Sequence, residues 1–468
     1  MLLYILGVVI IVVGVALSIG LHEIGHLIPA KLFGVKVGQW MIGFGPTLWS
    51  RKFGETQYGV KAIPLGGYIS MAGMFPPGKV KTRAVDRAGH LRDELELEFV
   101  EGDMHDVAED RAVGASALRG KPKMDSTGFF NVLVQDARDS SAETISPGDE
   151  DRVFYKLAFW KRIIIMLGGP VMNLVLAVVF FAIVICVVGS PGLSTTISAV
   201  SQCMAQTTSQ SAASKTCAAS DPTTPAAAAG LLPGDTVLRI GGTAISSYEQ
   251  ETALIRASVG KPLEFVVERD GRQKTLTVTP VRNTTVDATG ATVHAGFIGI
   301  VTQQKLVTRP VTAVLPAVGA NIVHTGGIII DLPHRLVQVA QAAFGGQKRD
   351  PNGPISVVGV GRIAGTVAST QALPVAERAS TMLGIIGSLN VALFVFNLIP
   401  LLPLDGGHVV GALWEAIRRR FAKWFKRPDP GPVDMAKLIP LTLAVSAVLG
   451  LMSVLLIYAD IVNPISLG

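Results

Sequence analysis

The chain has 468 residues, of which 49% are hydrophobic and 16% are charged, and its mean hydropathy is +0.46. A soluble globular protein of this length carries more charge, so the composition excludes that class. The net charge of +6 is uneven, because residues 81–155 hold 17 acidic against 10 basic side chains. The basic excess elsewhere is typical of residues that flank membrane spans rather than of a nucleic-acid patch, and no nucleic-acid partner is expected.

Four long apolar stretches predict a multi-pass α-helical membrane protein with about four transmembrane helices. Residues 3–19 form the first, and no Lys or Arg precedes them, so we expect a retained span rather than a cleaved signal peptide. The others run over 163–188, 382–404 and 438–462. Basic residues follow the first stretch, precede the second and separate the third from the fourth. This pattern places those connections in the cytoplasm and the 190–375 region outside it.

The first span ends in His22-Glu23-Ile24-Gly25-His26. Positions i and i+4 share one face of a helix, so His22 and His26 can bind one metal ion, with Glu23 beside it as a base. Ionisable side chains within a transmembrane helix are costly and normally mark function. The pattern therefore favours a zinc site over the alternative, which is a pair of structural histidines at an interfacial helix end.

Two segments have the composition of poorly structured chain. Residues 76–155 are charged and interrupted by Pro, Gly and Ser, which is typical of a partly disordered cytoplasmic insertion. Residues 191–225 are Ser/Thr/Ala-rich and predict a low-complexity linker. That linker contains Cys203 and Cys217, whose pairing the sequence leaves open, whereas Cys186 lies in an apolar run and is interpreted as a buried small side chain.

Ordered structure is predicted again from residue 226. Turn residues precede an alternating strand in 226–242, a helix follows over 247–258, and two strands flank a hairpin turn at Asp270-Gly271. Farther along, residues 320–345 carry a helical apolar stripe after Pro333, together with His and Arg. We expect a helix that lies on the membrane surface or on another domain rather than a span.

A catalytic zinc needs a third protein ligand and an open position for water. Asp405 is the candidate, because it follows the third apolar stretch and precedes a basic loop, at the depth expected of the histidine pair. Pro400 and Pro403 break the helix there and free backbone groups that can line a polar cavity. On its own, Asp405 fits a helix cap equally well, and His408 is a competing ligand.

HEIGH at 22–26 together with LDGGH at 404–408 resembles the site-2 protease family of intramembrane metalloproteases, in its bacterial, RseP-like branch. The local matches are MIGFGPTLWSR (41–51), YGVKAIPLGGYISMAG (58–73), RIIIMLGGPVMNLVLA (162–177), GPISVVGVGRIAG (353–365) and NLIPLLPLDGGH (397–408). The long acidic insertion and the Ala/Val/Gly-rich composition resemble actinobacterial members.

The resemblance implies a role for each matching residue. His22, His26 and Asp405 would bind Zn²⁺, and Glu23 would be the general base. Gly43, Phe44 and Gly45 would form a Gly-x-Gly hairpin that re-enters the membrane and pairs with extended substrate. Asn397 would hold substrate or the oxyanion, and Pro400, in the Pro-broken span, would also contact substrate. An ordinary turn on a small surface sheet is the alternative interpretation of the two glycines.

The stretch AAGLLPGDTVLRIGG (228–242) resembles a PDZ domain of the periplasmic protease type. Such a domain binds peptides by strand addition, filters substrates by size, or serves as a spacer. The family resemblance further implies a single-pass transmembrane substrate in the lipid bilayer of a bacterial cell membrane. Examples are an anti-sigma factor already cut by an upstream site-1-type protease, and a remnant signal peptide.

The sequence therefore predicts a zinc-dependent intramembrane endopeptidase with its active site toward the cytoplasm. One alternative is a non-catalytic PDZ membrane scaffold, which predicts no bound zinc and no effect of replacing Glu23. Another is a membrane metal transporter, which predicts ligands near the bilayer midplane and internal repeats. The sequence shows no internal repeat, and its ligands lie toward one membrane face.

The predicted fold is thus a bundle of about four transmembrane helices with a membrane-associated β-hairpin and one extracytoplasmic PDZ-like α/β domain. Its segments are 1–75 (first span and hairpin), 76–155 (charged cytoplasmic insertion), 156–190 (second span), 191–225 (linker), 226–305 (PDZ-like domain), 306–378 (peripheral amphipathic segment) and 379–468 (third and fourth spans).

Overall fold

A computed structural model describes residues 1–76, 81–85, 91–96, 129–204, 221–286, 292–345, 349–350 and 353–464. The helices are α1 (Leu2–Leu32), α2 (Phe129–Glu143), α3 (Phe159–Ala182, continued by a wider turn over Ile183–Val188), α4 (Pro225–Ala228), α5 (Tyr248–Ala257), α6 (Val314–Ile330), α7 (Leu332–Gly345), α8 (Val357–Ser369), α9 (Val375–Asn397), α10 (Asp405–Trp424) and α11 (Ile439–Val462). The strands are β1 (Val37–Phe53), β2 (Thr56–Met71), β3 (Lys81–Val85), β4 (Leu91–Glu96), β5 (Ser190–Val200), β6 (Thr236–Ile240), β7 (Thr243–Ala244), β8 (Leu263–Arg269), β9 (Arg272–Val278), β10 (Val281–Val286), β11 (Thr292–Phe297) and β12 (Ile300–Val307).

Five helical segments of the described chain are long and apolar enough to cross a membrane, so the protein is a multi-pass membrane protein. They are Leu2–Leu32, Phe159–Val188, Val311–Ile330, Val375–Asn397 and Met435–Val462. The sequence predicted about four, and the additional candidate is the one that contains α6. By length and composition α6 could cross a membrane, whereas the sequence analysis assigned it to a peripheral segment.

The helical stripe predicted after Pro333 is helix α7, and the residues before it belong to a separate helix, α6. The break falls just before Pro333, which lies in the first turn of α7. Proline is tolerated in the first turn of a helix but not in its interior, where it removes a hydrogen bond, so Pro333 begins a second helix instead of continuing the first.

Helix α1 is held along its length by α8 and α9. Gly7 lies so close to α8 that an added Cβ would be 2.6 Å from the carbonyl oxygen of Ala364. Farther along α1, the Ser18 hydroxyl accepts a hydrogen bond of 2.9 Å from Nδ2 of Asn390, which is fully buried on α9. These contacts fix the position of α1 one turn before its histidines.

Strands β1 and β2 fold over each other into a small sheet of four segments. Their order is 67–71, 37–42, 56–61 and 47–53, and the chain bends between 42 and 47. The 67–71 segment pairs on one side only, with 37–42, among the described residues. One edge of this sheet is therefore open to pair with another extended chain.

Part of the predicted insertion 76–155 is ordered. The backbone N–H of Phe75 donates to Ser141 Oγ of α2 at 2.9 Å, and Lys36 Nζ donates to Asp149 Oδ2 at 2.6 Å. Helix α2 and the turns after it are therefore hydrogen-bonded to the residues that flank the β1–β2 sheet. The acidic stretch 97–128, on which much of the predicted disorder falls, lies outside the described residues.

Residues 182–314 together with 372–383 form a separate unit. Its main sheet has the order β12-β5-β6-β8-β9, with β7 beside β6, and its core includes the fully buried Phe265 and Val267. The helix predicted over 247–258 is α5, and the predicted hairpin turn joins β8 to β9 with Asp270 at φ 52°.

The predicted linker 191–225 begins too early. Residues Ser190–Val200 are strand β5, which pairs with β12 and β6 inside the main sheet. The Ser and Thr side chains of β5 gave it a linker-like composition, and its partner strand β12 lies about a hundred residues later in the sequence.

Cys203, just after this strand, is disulfide-bonded, whereas Cys186 has a free thiol.

Glu251 on α5 is a buried carboxyl group without a hydrogen-bond partner. Its side chain is 1% exposed, and neither carboxyl oxygen is hydrogen-bonded. Burial raises the pKa of Glu251 from its ordinary value of 4.5 to about 8. At neutral pH this side chain is therefore mostly neutral in the folded unit and charged when the unit unfolds.

We expect this unit to lose stability as the pH rises from about 4.5 to about 8 and to change little above that range. Between these values the unfolded chain binds fewer protons than the folded one, so the free energy of unfolding falls by a few kcal/mol. Glu251→Gln should remove most of the pH dependence. Hydrogen exchange of the 248–257 peptide in the full chain, corrected for intrinsic rates, measures the stability of this unit at each pH. An unchanged pH dependence in Glu251→Gln would contradict this expectation.

Candidate metal centre

Helices α1 and α3 touch through their backbones beside the predicted zinc ligands. A Cβ on Gly25 would lie 2.3 Å from the carbonyl oxygen of Gly168, and a Cβ on Gly168 would lie 2.0 Å from that of Gly25. Small residues allow such close approach of helices in membranes. The contact brings α3 against the face of α1 that carries the histidines.

The three predicted ligands come together, although residues 26 and 405 are far apart in sequence. Nε2 of His22 and Nε2 of His26 are 3.2 Å apart, and Oδ2 of Asp405 lies 3.3 Å from the first and 3.4 Å from the second. These atoms form a nearly equilateral triangle in a buried position. Among the described residues, this is the group of His, Cys, Asp and Glu side chains that could hold a metal ion.

The triangle has the size that zinc requires. Ligand atoms at about 2.0–2.1 Å from a tetrahedral zinc are ~3.3 Å from each other, which matches all three measured distances. Asp405 Oδ2 is also buried without a hydrogen-bond partner, as expected of a carboxylate oxygen that binds a cation. The donor set of two imidazoles and one carboxylate leaves a fourth position for water. The residues present therefore fit zinc.

Gly169 on α3 lies directly against the nitrogens of His22 and His26 that would bind the metal. A Cβ at this position would be 2.3 Å from His26 Nε2 and 2.7 Å from His22 Nε2. Both nitrogens belong to rings that are packed in place, so they cannot move aside easily. Any side chain larger than hydrogen would crowd the ligand atoms themselves.

Both histidines are oriented from α3 through their other ring nitrogen. His26 Nδ1 lies 2.7 Å from the carbonyl oxygen of Ile165, which can only accept, so Nδ1 carries the proton and Nε2 is free to bind a metal. His22 Nδ1 lies 3.0 Å from the amide of Asn173, a residue with no exposed surface. The two contacts fix the direction in which the imidazoles point.

The Asn173 amide matches this role when its oxygen faces His22. Its Oδ1 is buried without a partner while Nδ2 faces the ring nitrogen. The oxygen and nitrogen of an amide are assigned from the hydrogen-bond network, and a half-turn exchanges them. The half-turn makes Oδ1 the acceptor of a proton on His22 Nδ1, which leaves Nε2 unprotonated for the metal.

Asn173→Leu should weaken zinc binding by about 10–100-fold, because it removes the group that holds the His22 proton on Nδ1. Asn173→Asp should retain most of the affinity, since a carboxylate accepts the same hydrogen bond. Competition of each purified variant with a chelator of known zinc affinity measures the effect without relying on catalysis. Equal affinity of the Leu and Asp variants would show that the contact with His22 does not matter.

Glu23 lies between the zinc ligands and the β1–β2 sheet. Its side chain is buried, and Cγ would be 3.0 Å from a Cβ placed on Gly67 of β2. Gly67 begins the sheet segment whose outer edge is open. The Glu23 side chain therefore packs against this end of the segment.

Asp405 is the first residue of α10 rather than the end of the third span. Helix α9 ends at Asn397, and residues 398–404 form a turn before α10 begins. Because the chain folds back here, a Cβ on Gly406 would lie 2.4 Å from the carbonyl oxygen of Ile399. His408, the competing ligand, is not in the triangle, and burial lowers its pKa to about 4.

The predicted substrate-binding residues lie on two elements. Gly43 and Gly45 have φ values of 89° and 83° at the bend of β1, a backbone conformation that favours glycine. Between them, Phe44 is 47% exposed and stacks on Tyr68, with 6.4 Å between ring centroids.

The other two, Asn397 and Pro400, end α9 and lie in the following turn, where Pro400 is exposed. Their roles toward substrate remain predictions.

Sequence reasoning missed Asn173, Gly169 and Gly67. All three lie inside stretches that carried the family resemblance, but none has a side chain that signals metal chemistry by itself. Only the packing of α3 and β2 against α1 shows what they contact. A buried Asn in an apolar helix was the one signal that could have been noticed, because polar groups inside a membrane span are costly.

Comparison with known proteins gives consistent matches. The profile of peptidase family M50 matches residues 10–427. Zinc metalloprotease Rip1 of Mycobacterium tuberculosis is 32% identical over 483 aligned positions, which cover 99% of each chain. Zinc metalloprotease RasP of Geobacillus kaustophilus is 28% identical over 85% of this chain and 86% of its own. Metalloprotease MmpA of Caulobacter vibrioides is 26% identical over 90% of this chain and 86% of its own.

Proposed function

The chain belongs to peptidase family M50, the site-2 protease family, and we propose that it cuts single-pass membrane proteins with zinc held by His22, His26 and Asp405. Its membership makes it a zinc-dependent intramembrane endopeptidase. The observation that carries the residue assignment is the triangle of ligand atoms, whose sides of 3.2, 3.3 and 3.4 Å suit tetrahedral zinc.

Glu23 is the general base of this proposal. When bound, zinc supplies a water of lowered pKa and polarises the scissile carbonyl. Glu23 takes a proton from the attacking water and returns it to the nitrogen of the leaving amine. Asn173 and the Ile165 carbonyl hold the two imidazoles in place during this transfer. Asn397 and Pro400 border the substrate on the side of α10.

The substrate must be extended before it can be cut. A transmembrane helix bonds its carbonyl groups internally, so the segment near the scissile bond has to unwind. Pairing with the open edge of the β1–β2 sheet, beside Gly67 and the Gly43-Phe44-Gly45 bend, replaces the lost helical hydrogen bonds. Helix-breaking residues in the substrate therefore favour cleavage.

The second unit acts as a PDZ-like domain outside the cytoplasm in this proposal. Its sequence carries the AAGLLPGDTVLRIGG stretch, and β12 is the last strand on one side of its main sheet. An edge strand of this kind can accept a peptide or, by its bulk, keep away substrates with large outer domains. The natural substrate is then a membrane protein already trimmed by an upstream site-1-type protease, such as an anti-sigma factor, or a remnant signal peptide.

The proposed position in the cell rests on charge. The basic residues that flank the spans support a zinc site toward the cytoplasmic face of a bacterial cell membrane. A membrane scaffold without catalysis and a metal transporter are not favoured, because the related proteins are zinc metalloproteases.

The test is co-expression of candidate single-pass substrates with the wild-type protein or with Glu23→Gln. We expect cleavage by the wild type and a loss of about 10²–10⁴-fold in the variant, since the base is absent. Each substrate is supplied with its outer domain intact and in a pre-trimmed form. Equal processing by both proteins would refute the catalytic role of Glu23, and equal processing of both substrate forms would refute the size filter alone.

A further inference from the structure

Helix α10 has two faces with different surroundings. One face is buried, and a Cβ on its Gly411 would lie 2.5 Å from Met435 Sδ. The opposite face is apolar and exposed, with residues spaced i, i+4, i+7, i+11 and i+14. These residues are Val410, Trp414, Ile417, Phe421 and Trp424. Helix α10 is therefore amphipathic, and the described part of the chain leaves its apolar stripe uncovered.

Cations flank the second half of this stripe. Six of the ten residues in 418–427 are Arg or Lys, and none is acidic. Four of them, Arg420, Lys423, Lys426 and Arg427, are exposed and form no ion pair within the described ranges. Exposed cations beside an apolar helix face are typical of helices that lie in the plane of a membrane interface.

The position of α10 against α3 is fixed by a buried ion pair. Arg162 Nη2 lies 2.5 Å from Glu415 Oε1, and both side chains are buried. Arg162 is in the first turn of α3, beside Trp160, which is 47% exposed and packs edge-on against Phe33 at 5.6 Å. Lys161 Nζ lies over both rings. Aromatic rings and Lys at the end of a span mark the boundary between hydrocarbon and water.

We propose that residues 415–427 lie in the membrane interface and bind the headgroups of anionic phospholipids. The aromatic rings of Phe421 and Trp424, which stack at 6.3 Å, reach the upper acyl chains, and the four exposed cations contact phosphate groups. An acidic soluble protein would satisfy the cations, but the apolar stripe begins at Val410, nearer the zinc ligands. The stripe continues without a break from there to the cations, which favours lipid rather than a soluble protein as the partner of this face. This binding does not depend on catalysis.

The test measures how close each lipid comes to Trp424 in the full chain. The protein is reconstituted in vesicles of phosphatidylcholine and phosphatidylglycerol, with brominated acyl chains on one lipid or the other. Bromine quenches nearby tryptophan fluorescence, and the difference between wild type and Trp424→Phe isolates the signal of Trp424. We expect brominated phosphatidylglycerol to quench this signal at least about twofold more than an equal amount of brominated phosphatidylcholine at low salt.

Charge variants separate specific binding from general lipid contact. Arg420→Gln/Lys423→Gln should abolish most of the preference for phosphatidylglycerol, and high salt should do the same. The matched control, Arg51→Gln/Lys52→Gln, removes two exposed cations from β1 and should leave the preference unchanged. Equal quenching by the two lipids in the wild type would overturn the proposal. Absence of quenching by either lipid would also overturn it and would indicate that a protein covers this face.

Discussion

Replacing Asp405 with Ala should remove zinc from the purified protein and reduce cleavage to background. The substitution leaves two imidazoles 3.2 Å apart with no third protein ligand, whereas catalytic zinc sites have three. We expect zinc affinity to fall by more than the ~10–100-fold that loss of a hydrogen-bonding partner of a ligand costs. Elemental analysis and chelator competition measure the zinc content directly.

The control for this prediction is Glu23→Gln, which removes the base but none of the three ligand atoms. It should lose activity and retain zinc at wild-type stoichiometry. Unchanged zinc content in Asp405→Ala would remove this carboxylate from the metal site, and His408, the fourth residue of α10, would have to be reconsidered.

Gly169→Ala should disable the metal centre by adding a single methyl group. The new Cβ would lie 2.3 Å from His26 Nε2 and 2.7 Å from His22 Nε2, well inside van der Waals contact. Either α3 moves away or the rings turn, and displacement of reacting groups by about 1 Å can cost 10²-fold in rate. We expect at least that loss in cleavage, together with weaker zinc binding.

The chain offers a matched control in Gly384→Ala. Gly384 also lies in a membrane helix, α9, and a Cβ there meets no atom within 4 Å. This variant should retain zinc and activity, since Ala is favoured over Gly in a helix. If the two variants behave alike, the loss comes from a general effect of Gly→Ala in a membrane helix rather than from crowding of the ligands.

The three residues of the ligand triangle could be picked out from sequence because their side chains are chemically distinctive. The spacing of His22 and His26 indicates a shared helix face without any tertiary information. Asp405 could be chosen because a carboxylate between an apolar stretch and a basic loop is unusual. Its local structure was predicted less well, because Pro400 and Pro403 do not show where the helix before them ends. The structure ends α9 at Asn397 and begins a new helix at Asp405.

The residues that orient the ligands could not be predicted, because their role exists only in the folded protein. Asn173 and Gly169 become part of the site when α3 crosses α1, and nothing in their own local sequence specifies that crossing. Strand β5 was missed for a related reason. Its Ser and Thr content resembles that of a flexible segment until β12 and β6 supply its hydrogen bonds. The composition of a segment does not show which distant residues it will contact, and both the roles of Asn173 and Gly169 and the pairing of β5 depend on such contacts.

The backbone contact between Gly25 and Gly168 limits how a substrate can arrive. Neighbouring strands need about 4.7–4.9 Å between them, and no such gap exists where these two helices meet. The two helices therefore close this side of the metal site at the level of Gly25 and Gly168. We expect an extended substrate to approach the ligand triangle from another side.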